Sequence, residues 1–254
     1  MYEEFHFTRG NFIDQSDTQY FDYYIFQNPI RRDGWIKWGF NPYKTQAWGS
    51  LRFDPNWSDI NRNICPKFNP GKGYSKKLKV VFMQFQKEYN VKNELVLDTL
   101  KKISRLDGVA LAVKDATREG KEFYDKNTVS GELGHALIGW YGNEVHSPSL
   151  IDWADCVIVI GGSIGVEVIL QNKHLVYPLY LNTNRTMYEY FDAAFCAHSF
   201  DEIKHYINNI RIGKDHERTK GAGLMLREII YAGEDEFDVP LKYYKNISSD
   251  SLNY

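Results

Sequence analysis

Residues 156–167 read Cys-Val-Ile-Val-Ile-Gly-Gly-Ser-Ile-Gly-Val-Glu, and this stretch decides the fold. Its first five residues have the apolar, β-branched composition of a buried parallel strand, and residues 164–172 have the apolar spacing of a helix. Gly161 and Gly162 between them let the backbone turn sharply and approach a ligand closely. Ligands of open α/β sheets bind at the carboxyl ends of the strands, where this turn would lie. The stretch therefore predicts a strand, a ligand-binding turn and a helix.

The flanking sequence repeats this alternation of strands and helices. Further apolar runs with the length of buried strands lie at residues 80–85, 109–113 and 175–178. Helical spacing occurs at residues 93–106, 149–154, 199–210 and 217–232, and the type of the apolar segment 132–140 is left open. Ser199 and Glu202 have the spacing of a helix cap. The pattern predicts an α/β fold, a Rossmann-like parallel sheet with helices on both faces.

Residues 1–75 have a different character. They are rich in aromatic residues and turn formers, and their one strand candidate is Tyr23–Phe26. Their apolar periodicity is too broken for an independent core. We therefore predict two parts, a partial N-terminal lobe with its linker at 1–75 and a Rossmann-like lobe with C-terminal helices at 76–254.

Charge and composition exclude several classes of function. The chain has 31 Lys and Arg against 33 Asp and Glu, a net charge of −2, so we expect no nucleic-acid partner. Its three cysteines form no Cys-x-x-Cys pair and its seven histidines show no ligand spacing, so we expect neither a disulfide framework nor a metal site. The N-terminus lacks a signal-peptide pattern, and Glu167 interrupts the most apolar segment, 157–170. These features indicate a soluble, cytoplasmic protein.

The glycine turn carries the first group of candidate binding residues, Gly162, Ser163, Ile164 and Glu167. Backbone amides that open the following helix would face a phosphate, and the Glu167 carboxylate could accept hydrogen bonds from a ribose diol. The turn is neither Gly-x-Gly-x-x-Gly nor a Walker A loop, so it predicts neither a dinucleotide nor ATP hydrolysis. The alternatives are a plain tight turn capped by Ser163 and a Glu167 on an exposed helix face.

Loops at the same predicted edge carry a second group. Lys114 ends the strand 109–113 and Arg118 follows it, and both cations suit a pyrophosphate or a carboxylate. Asn184 and Arg185 lie in the polar loop 182–186, directly after another strand. The alternative for each is an ordinary surface side chain.

The string Gly161-Gly-Ser-Ile-Gly165 also fits the Gly-x-Ser-x-Gly pattern of a hydrolase nucleophile. A hydrolase would further need an acid and a histidine later in the chain. The candidates for these roles are Asp192, Asp201, His198 and His205. A hydrolase remains a minor alternative.

Three segments together resemble the C-terminal half of GT-B glycosyltransferases that make bacterial capsule and other surface polysaccharides. They are Trp48–Phe53, Leu111–Lys114 and Ser149–Pro178, and the resemblance covers about residues 45–245. The third segment is the most specific, because it combines an Ala-Asp pair, an apolar strand, a Gly-Ser turn and a glutamate. The sequence departs from the family pattern at Asp115-Ala116, where His-Pro is usual, and at Gly162, Val168 and His174.

The resemblance implies that residues 76–254 bind a nucleotide-sugar donor, with the turn at its phosphates and Glu167 at the ribose or sugar. Arg52 belongs to the element that precedes this lobe and is included among the donor-binding residues. The implied reaction is metal-independent transfer to a glycan or lipid-linked acceptor, without a further cofactor, in the cytoplasm and at the inner face of the cell membrane. No catalytic base is identified, because 75 residues cannot contain a complete first lobe. The second hypothesis is a noncatalytic nucleotide-sugar-binding or assembly subunit.

Overall fold

The computed structural model describes residues 21–71, 73–84, 90–115, 129, 131–184, 186–214 and 221–233. The chain divides into two compact units, one of residues 1–55 and 224–254 and the other of residues 56–223. Within the described residues, no helix is both long and apolar enough to cross a membrane. The predicted division into a partial lobe at 1–75 and a donor-binding lobe at 76–254 stays a prediction.

The larger unit contains a six-stranded sheet with the order β5-β4-β3-β6-β7-β8. Every neighbouring pair in this sheet is parallel. Its strands are β3 (Leu78–Met83), β4 (Val109–Lys114), β5 (Leu137–Tyr141), β6 (Cys156–Val159), β7 (His174–Pro178) and β8 (Phe195–Ala197). The predicted parallel sheet is confirmed, and the undecided segment 132–140 supplies β5.

Helices cover both faces of this sheet. Alternate strand residues such as Val80, Leu111 and Ile158 face one core, to which the helices Asn93–Ile103 and Phe200–Arg211 contribute their buried residues. The intervening residues, among them Val81 and Val157, face the opposite side. The helices Ser147–Trp153 and Ile164–Leu170 contact strands β3, β6 and β7 and bury their own apolar residues outside that first core. Because both faces are covered, the strands read as continuous apolar runs.

The helix Phe200–Arg211 begins as its sequence predicts. The Ser199 hydroxyl accepts a hydrogen bond from the Glu202 amide at 3.3 Å. The Glu202 carboxylate in turn accepts one from the His198 amide at 2.9 Å. These two bonds satisfy backbone donors that a helix start leaves open.

The smaller unit contains the parallel pair β1 (Tyr24–Phe26) and β2 (Thr45–Ala47), which confirms the predicted strand near residue 24. The helix Pro29–Lys37 is capped by Asn28, whose side chain accepts from the Arg31 amide at 2.9 Å. Aromatic rings of this unit pack against one another, and the ring centres of Trp35 and Phe40 are 5.0 Å apart. Short 3-10 helices span Pro42–Lys44 and Leu51–Phe53.

The segment 217–232 differs from the single helix that the sequence predicts. Residues 217–220 lie outside the described residues, Ala222–Met225 is α-helical and Leu226–Ile230 is a π-helix. Asn28 and Ser50 donate hydrogen bonds to the carbonyls of Ile229 and Ile230, each at 2.9 Å. These two bonds satisfy carbonyls at the end of the segment. The π-helical turn is closed by a hydrogen bond that the Tyr231 amide donates to the Leu226 carbonyl at 2.9 Å.

Candidate functional site

The candidate site lies at the carboxyl ends of the central strands of the larger unit. Met83 of β3 pairs with Lys114 of β4 on one side and with Val159 of β6 on the other. The Cα atoms of Lys114 and Val159 are therefore about 10 Å apart, because neighbouring strands are spaced by about 4.8 Å. The glycine turn follows directly after β6. The sheet thus places Lys114 and the turn at one edge, with only β3 between them.

The turn itself is exposed and has a conformation that requires glycine. Gly162 has a φ of 85°, in the region that side chains with a Cβ avoid. Gly162 and Ser163 are both exposed. Ser163 has helical φ and ψ, and its side chain makes no capping hydrogen bond. The alternative of a turn capped by Ser163 is therefore wrong for this structure.

A buried tyrosine from the helix Met187–Tyr190 holds the turn in place. Tyr188 is only 2 % exposed, and its hydroxyl donates a hydrogen bond to the Gly162 carbonyl at 3.1 Å. A Cβ on Gly165 would lie 2.6 Å from both Cζ and the hydroxyl oxygen of Tyr188. Gly165 is thus a close-packing glycine, and the position of the turn depends on a residue that is distant in sequence.

Asn182, which follows β7, ties the same region together. Its side-chain amide donates to the Ile160 carbonyl at 2.5 Å and to the Tyr177 hydroxyl at 3.0 Å. Its side-chain oxygen accepts from the Asn184 amide at 3.0 Å. Since Ile160 directly precedes the glycine pair, one buried side chain connects the turn after β6 to the loop after β7.

The two tyrosines in this network stay neutral. Burial is the main cause that raises the pKa of Tyr177 and of Tyr188 above the usual phenol value. The Glu167 carboxylate is a smaller cause of the raised pKa of Tyr188. The protonated Tyr188 hydroxyl can therefore donate its hydrogen bond to the Gly162 carbonyl.

Glu167 occupies the first turn of the helix Ile164–Leu170 and is partly buried. Its partial burial speaks against a fully solvent-exposed position on the helix. Ile164 begins the same helix and is also partly buried. Four candidate residues, Gly162, Ser163, Ile164 and Glu167, thus lie in one turn and the first turn of the helix that follows it.

Lys114 has a different environment from the one that the sequence suggests. It is only 6 % exposed, and its ammonium donates a hydrogen bond to the Gly142 carbonyl. The alternative of a surface charge is wrong, because this bond ties the end of β4 to the segment after β5. The Lys114 side chain therefore supports the segment after β5 from within the fold.

The remaining candidate residues are Asn184, Arg185, Arg118 and Arg52. Asn184 is exposed, and its side-chain oxygen accepts from the Asn90 side-chain amide at 3.0 Å. Arg185 and Arg118 lie outside the described residues. Arg52 is exposed on the 3-10 helix Leu51–Phe53 of the smaller unit, with its guanidinium carbon 5.2 Å from the centre of the Phe53 ring.

The candidate residues named from the sequence did not include four residues at this edge: Tyr188, Gln84, Asp115 and Asn182, the last of which begins the polar loop 182–186. Gln84 and Asp115 follow β3 and β4, and each is 8 % exposed. The Asp115 carboxylate accepts a hydrogen bond from the Trp140 indole. A polar residue directly after a buried strand was the available signal for Gln84 and Asp115. No local signal marks Tyr188, because the Gly162 carbonyl that its hydroxyl binds lies 26 residues away in the chain.

The described residues do not support a metal site, a reactive thiol or a hydrolase site. The described ranges hold no group of three or more His, Cys, Asp or Glu side chains arranged for a metal ion. Burial raises the pKa of the Cys156 and Cys196 thiols to about 12, so both are protonated at neutral pH. Across the described chain, no histidine hydrogen-bonds Ser163, which the hydrolase alternative requires.

No protein-family model matches the chain, and no curated protein matches it. Solved structures do share its fold. One is S. aureus MnaA in complex with UDP, with 15% identity and a TM-score of 0.59 over 91% of this chain and 61% of that chain. A second is the UDP-GlcNAc 2-epimerase of Neisseria meningitidis bound to UDP-GlcNAc, with 12% identity and a TM-score of 0.57 over 92% of this chain and 62% of that chain.

A third structure with this fold is Anabaena HepE in complex with UDP-glucose. It shares 13% identity and a TM-score of 0.51 over 93% of this chain and 68% of that chain. The present chain therefore spans about three fifths to two thirds of the length of these proteins. At such identities the likeness establishes the architecture, and the chain has the Rossmann-like α/β fold of GT-B proteins.

Proposed function

We propose that this chain binds a nucleotide-sugar at the carboxyl edge of its six-stranded sheet. The observation that carries the proposal is the exposed turn at Gly162 and Ser163, which buried Tyr188 and Asn182 hold in place. A binding turn works best when its amides are already oriented, because the ligand then does not have to order the backbone. Bound UDP, UDP-GlcNAc and UDP-glucose in proteins of the same fold add support for a uridine nucleotide.

Each residue of the site has a role in this proposal. The backbone amides of the turn face the phosphate oxygens. Because glycine has no Cβ, the phosphate can approach these amides closely. The Glu167 carboxylate accepts hydrogen bonds from the hydroxyls of the ribose or the sugar. Lys114 adds positive charge at the same edge without reaching solvent. The turn amides and Lys114 stabilise the negative charge of the leaving nucleotide, and the proposed mechanism uses no metal ion.

The proposed reaction is transfer of the sugar to a surface polysaccharide, such as a capsule, or to a lipid-linked acceptor in the cytoplasm. A noncatalytic subunit that only binds the nucleotide-sugar is the second candidate, because no catalytic base is assigned among the described residues. The two candidates agree on binding and differ in turnover. Release of free nucleotide from the nucleotide-sugar, measured with and without a glycan acceptor, separates them.

Binding is tested by thermal unfolding of the full chain with UDP, UDP-glucose, UDP-GlcNAc, CDP and GDP. A ligand at 100 times its dissociation constant stabilises a protein by about 2.7 kcal/mol, which raises the melting temperature of a chain of this size by roughly 5–10 °C. We expect a shift for one nucleotide class and a smaller shift in Glu167→Gln. Glu189→Gln is the matched control, because Glu189 is an exposed glutamate of the following helix.

The outcome of the panel decides between clear alternatives. A selective shift that Glu167→Gln reduces and Glu189→Gln leaves unchanged supports the assigned edge. The absence of any shift across the panel refutes nucleotide-sugar binding by this polypeptide. A shift that is equal in wild type and Glu167→Gln keeps the binding but removes Glu167 from the site. EDTA is included throughout, and a loss of binding in EDTA refutes the metal-independent mechanism.

A further inference from the structure

Gln84, the first residue after β3, has a side-chain amide that the fold does not use. The residue is buried, and its amide nitrogen Nε2 has no hydrogen-bond partner among the described residues. A buried amide without a partner is unfavourable, and native proteins keep few of them. The unused hydrogen-bond donor therefore calls for an acceptor from outside the described chain.

Gln84 and Asp115 are neighbours at the carboxyl edge of the sheet. The Gln84 backbone amide donates a hydrogen bond to the Lys114 carbonyl at 2.9 Å, and Asp115 follows Lys114 directly. Because strand residues alternate between the two faces of a sheet, Gln84 continues the face of Phe82, and Asp115 continues the face of Val113. Phe82 and Val113 belong to the same core. The two polar residues therefore lie side by side on one face, at the strand spacing of about 5 Å.

The Asp115 carboxylate is positioned from β5. The Asp115 backbone amide donates to the Tyr141 carbonyl at 2.9 Å, and its carboxylate accepts a hydrogen bond from the Trp140 indole. An indole can only donate, so this bond orients the carboxylate as an acceptor. A carboxylate offers about four acceptor positions, so it can accept from a ligand in addition to the indole.

This pair of residues lies beside the segment that leads into the glycine turn. Met83 pairs with Val159, so Gln84 lies one strand spacing, about 5 Å, from Ile160. Ile160 belongs to the same core as Phe82 and directly precedes the turn. A sugar ring with its hydroxyls is about as wide as one strand spacing. A sugar joined to a phosphate at the turn therefore reaches the next strand.

An amide beside a carboxylate fits a hydroxyl group. A hydroxyl both accepts and donates hydrogen bonds, so it can accept from the Gln84 amide and donate to the Asp115 carboxylate. A phosphate or a sugar carboxylate only accepts, and its negative charge is repelled by a neighbouring carboxylate. The pair therefore suits a neutral, hydroxylated ring.

We propose that Gln84 and Asp115 bind the sugar of the nucleotide-sugar and select a neutral sugar over an acidic one. This inference rests on the proposed function, because the nucleotide brings the sugar to the pair. The turn binds the phosphates, and the ends of β3 and β4 bind the sugar hydroxyls. Glu167 on the other side of the turn then serves the ribose.

The test is isothermal titration calorimetry of the full chain with UDP, UDP-glucose and UDP-glucuronic acid. The ratio of the dissociation constants of UDP and UDP-glucose measures the contribution of the sugar. We expect wild type to bind UDP-glucose about tenfold more tightly than UDP, and to bind UDP-glucuronic acid about fivefold or more less tightly than UDP-glucose.

Gln84→Met keeps the length of the side chain and removes the amide. It should reduce the preference for UDP-glucose over UDP by about threefold to tenfold and leave UDP binding unchanged. Because it removes a buried donor that has no partner within the described chain, the urea midpoint of the free protein should not fall. A glutamine with a merely structural role would give the opposite pattern, a lower midpoint with the sugar preference retained.

Asp115→Asn keeps an oxygen for the Trp140 indole and removes the negative charge. It should narrow the gap between UDP-glucose and UDP-glucuronic acid by about fivefold or more.

Gln171→Met is the matched control. Gln171 is also buried, and its Oε1 has no partner in the described part of the chain. It follows the helix Ile164–Leu170 at the end away from the turn. This variant should leave both sugar preferences unchanged.

The inference and the proposed function fail in different ways. Equal affinities of wild type for UDP and UDP-glucose, or an unchanged ratio in Gln84→Met, would overturn the assignment of the sugar while nucleotide binding stands. Tighter binding of UDP-glucuronic acid than of UDP-glucose would refute the selection of a neutral sugar. If neither UDP nor UDP-glucose binds, the proposed uridine-nucleotide site is refuted and the sugar assignment falls with it.

Discussion

Replacement of Gly165 by alanine tests the packing that supports the candidate site. The new Cβ would lie 2.6 Å from Cζ and from the hydroxyl oxygen of Tyr188, whereas ordinary carbon contacts are about 3.5–4.0 Å. Relief therefore requires a displacement of about 1 Å. Tyr188 is fully buried and lies 5.7 Å from the ring of Tyr177, so its ring has little room to retreat.

The magnitude follows from two opposing effects. Alanine in place of glycine favours a helix by roughly 1 kcal/mol, while overpacking of a tight interior costs about 1–3 kcal/mol. Displacement of Tyr188 also breaks its 3.1 Å hydrogen bond to the Gly162 carbonyl, which costs about another 1 kcal/mol. We expect Gly165→Ala to lower the free energy of unfolding by about 1–3 kcal/mol.

The assay is equilibrium unfolding in urea of four proteins: wild type, Gly165→Ala, Tyr188→Leu and the double variant. Leucine has no atoms at the positions of Cζ and the hydroxyl, so it removes the clash and leaves a cavity. The double variant should then be no less stable than Tyr188→Leu alone, which gives a coupling energy of about 1–3 kcal/mol. Gly223→Ala is the control, because its Cβ would meet nothing within 4 Å.

The reasoning is refuted if the two single changes are additive, or if Gly165→Ala and Gly223→Ala have the same effect on stability. A nucleotide-binding measurement on Gly165→Ala extends the test to function. Because Tyr188 holds the Gly162 carbonyl, we expect weaker binding even where the variant remains folded.

Three further predictions concern the same unit. Asn182→Ala leaves the Ile160 carbonyl without its side-chain donor and should cost about 1–3 kcal/mol in urea unfolding, whereas Asn184→Ala, at an exposed position, should cost less than half of that. Lys114→Met removes the donor to a backbone carbonyl and should also lower stability by about 1–3 kcal/mol; an unchanged urea midpoint would contradict the supporting role of this lysine. Burial and, to a smaller extent, Asp155 raise the pKa of Cys156 from 9.0 to about 12, so the unfolded chain loses this proton first and stability should fall as pH rises from 9 toward 12. Urea unfolding across that range, with Cys156→Ala showing a shallower fall, is the corresponding measurement.

The sheet was predictable because its strands carry their signal locally. Residues 156–160 are apolar without interruption, and the structure places Cys156–Val159 in the middle of the sheet with neighbours on both sides. The helix cap formed by Ser199 and Glu202 could also be predicted from the sequence, since both residues form their capping hydrogen bonds within one helical turn. Segment 132–140 could not be typed, because Leu137–Tyr141 is partly buried along its whole length and shows no clear alternation.

The candidate site was predictable only in part. The glycine turn is a local feature, whereas the residues that hold it come from the segment after β7. The sequence predicted Lys114 as a ligand-binding cation with a surface side chain as the alternative, and the structure buries it because the segment after β5 supplies a carbonyl for its ammonium. Which neighbour a side chain meets depends on strand order, and strand order is not a local property.

The amino-acid sequence by itself determined the α/β alternation and the strand-turn-helix at 156–170, because periodicity and glycine placement are written in consecutive residues. Only the tertiary structure decided that β3 lies between β4 and β6 and that Tyr188 donates a hydrogen bond to the Gly162 carbonyl. These features arise from contacts between residues far apart in the chain, whose free energy depends on the packed fold rather than on any single segment.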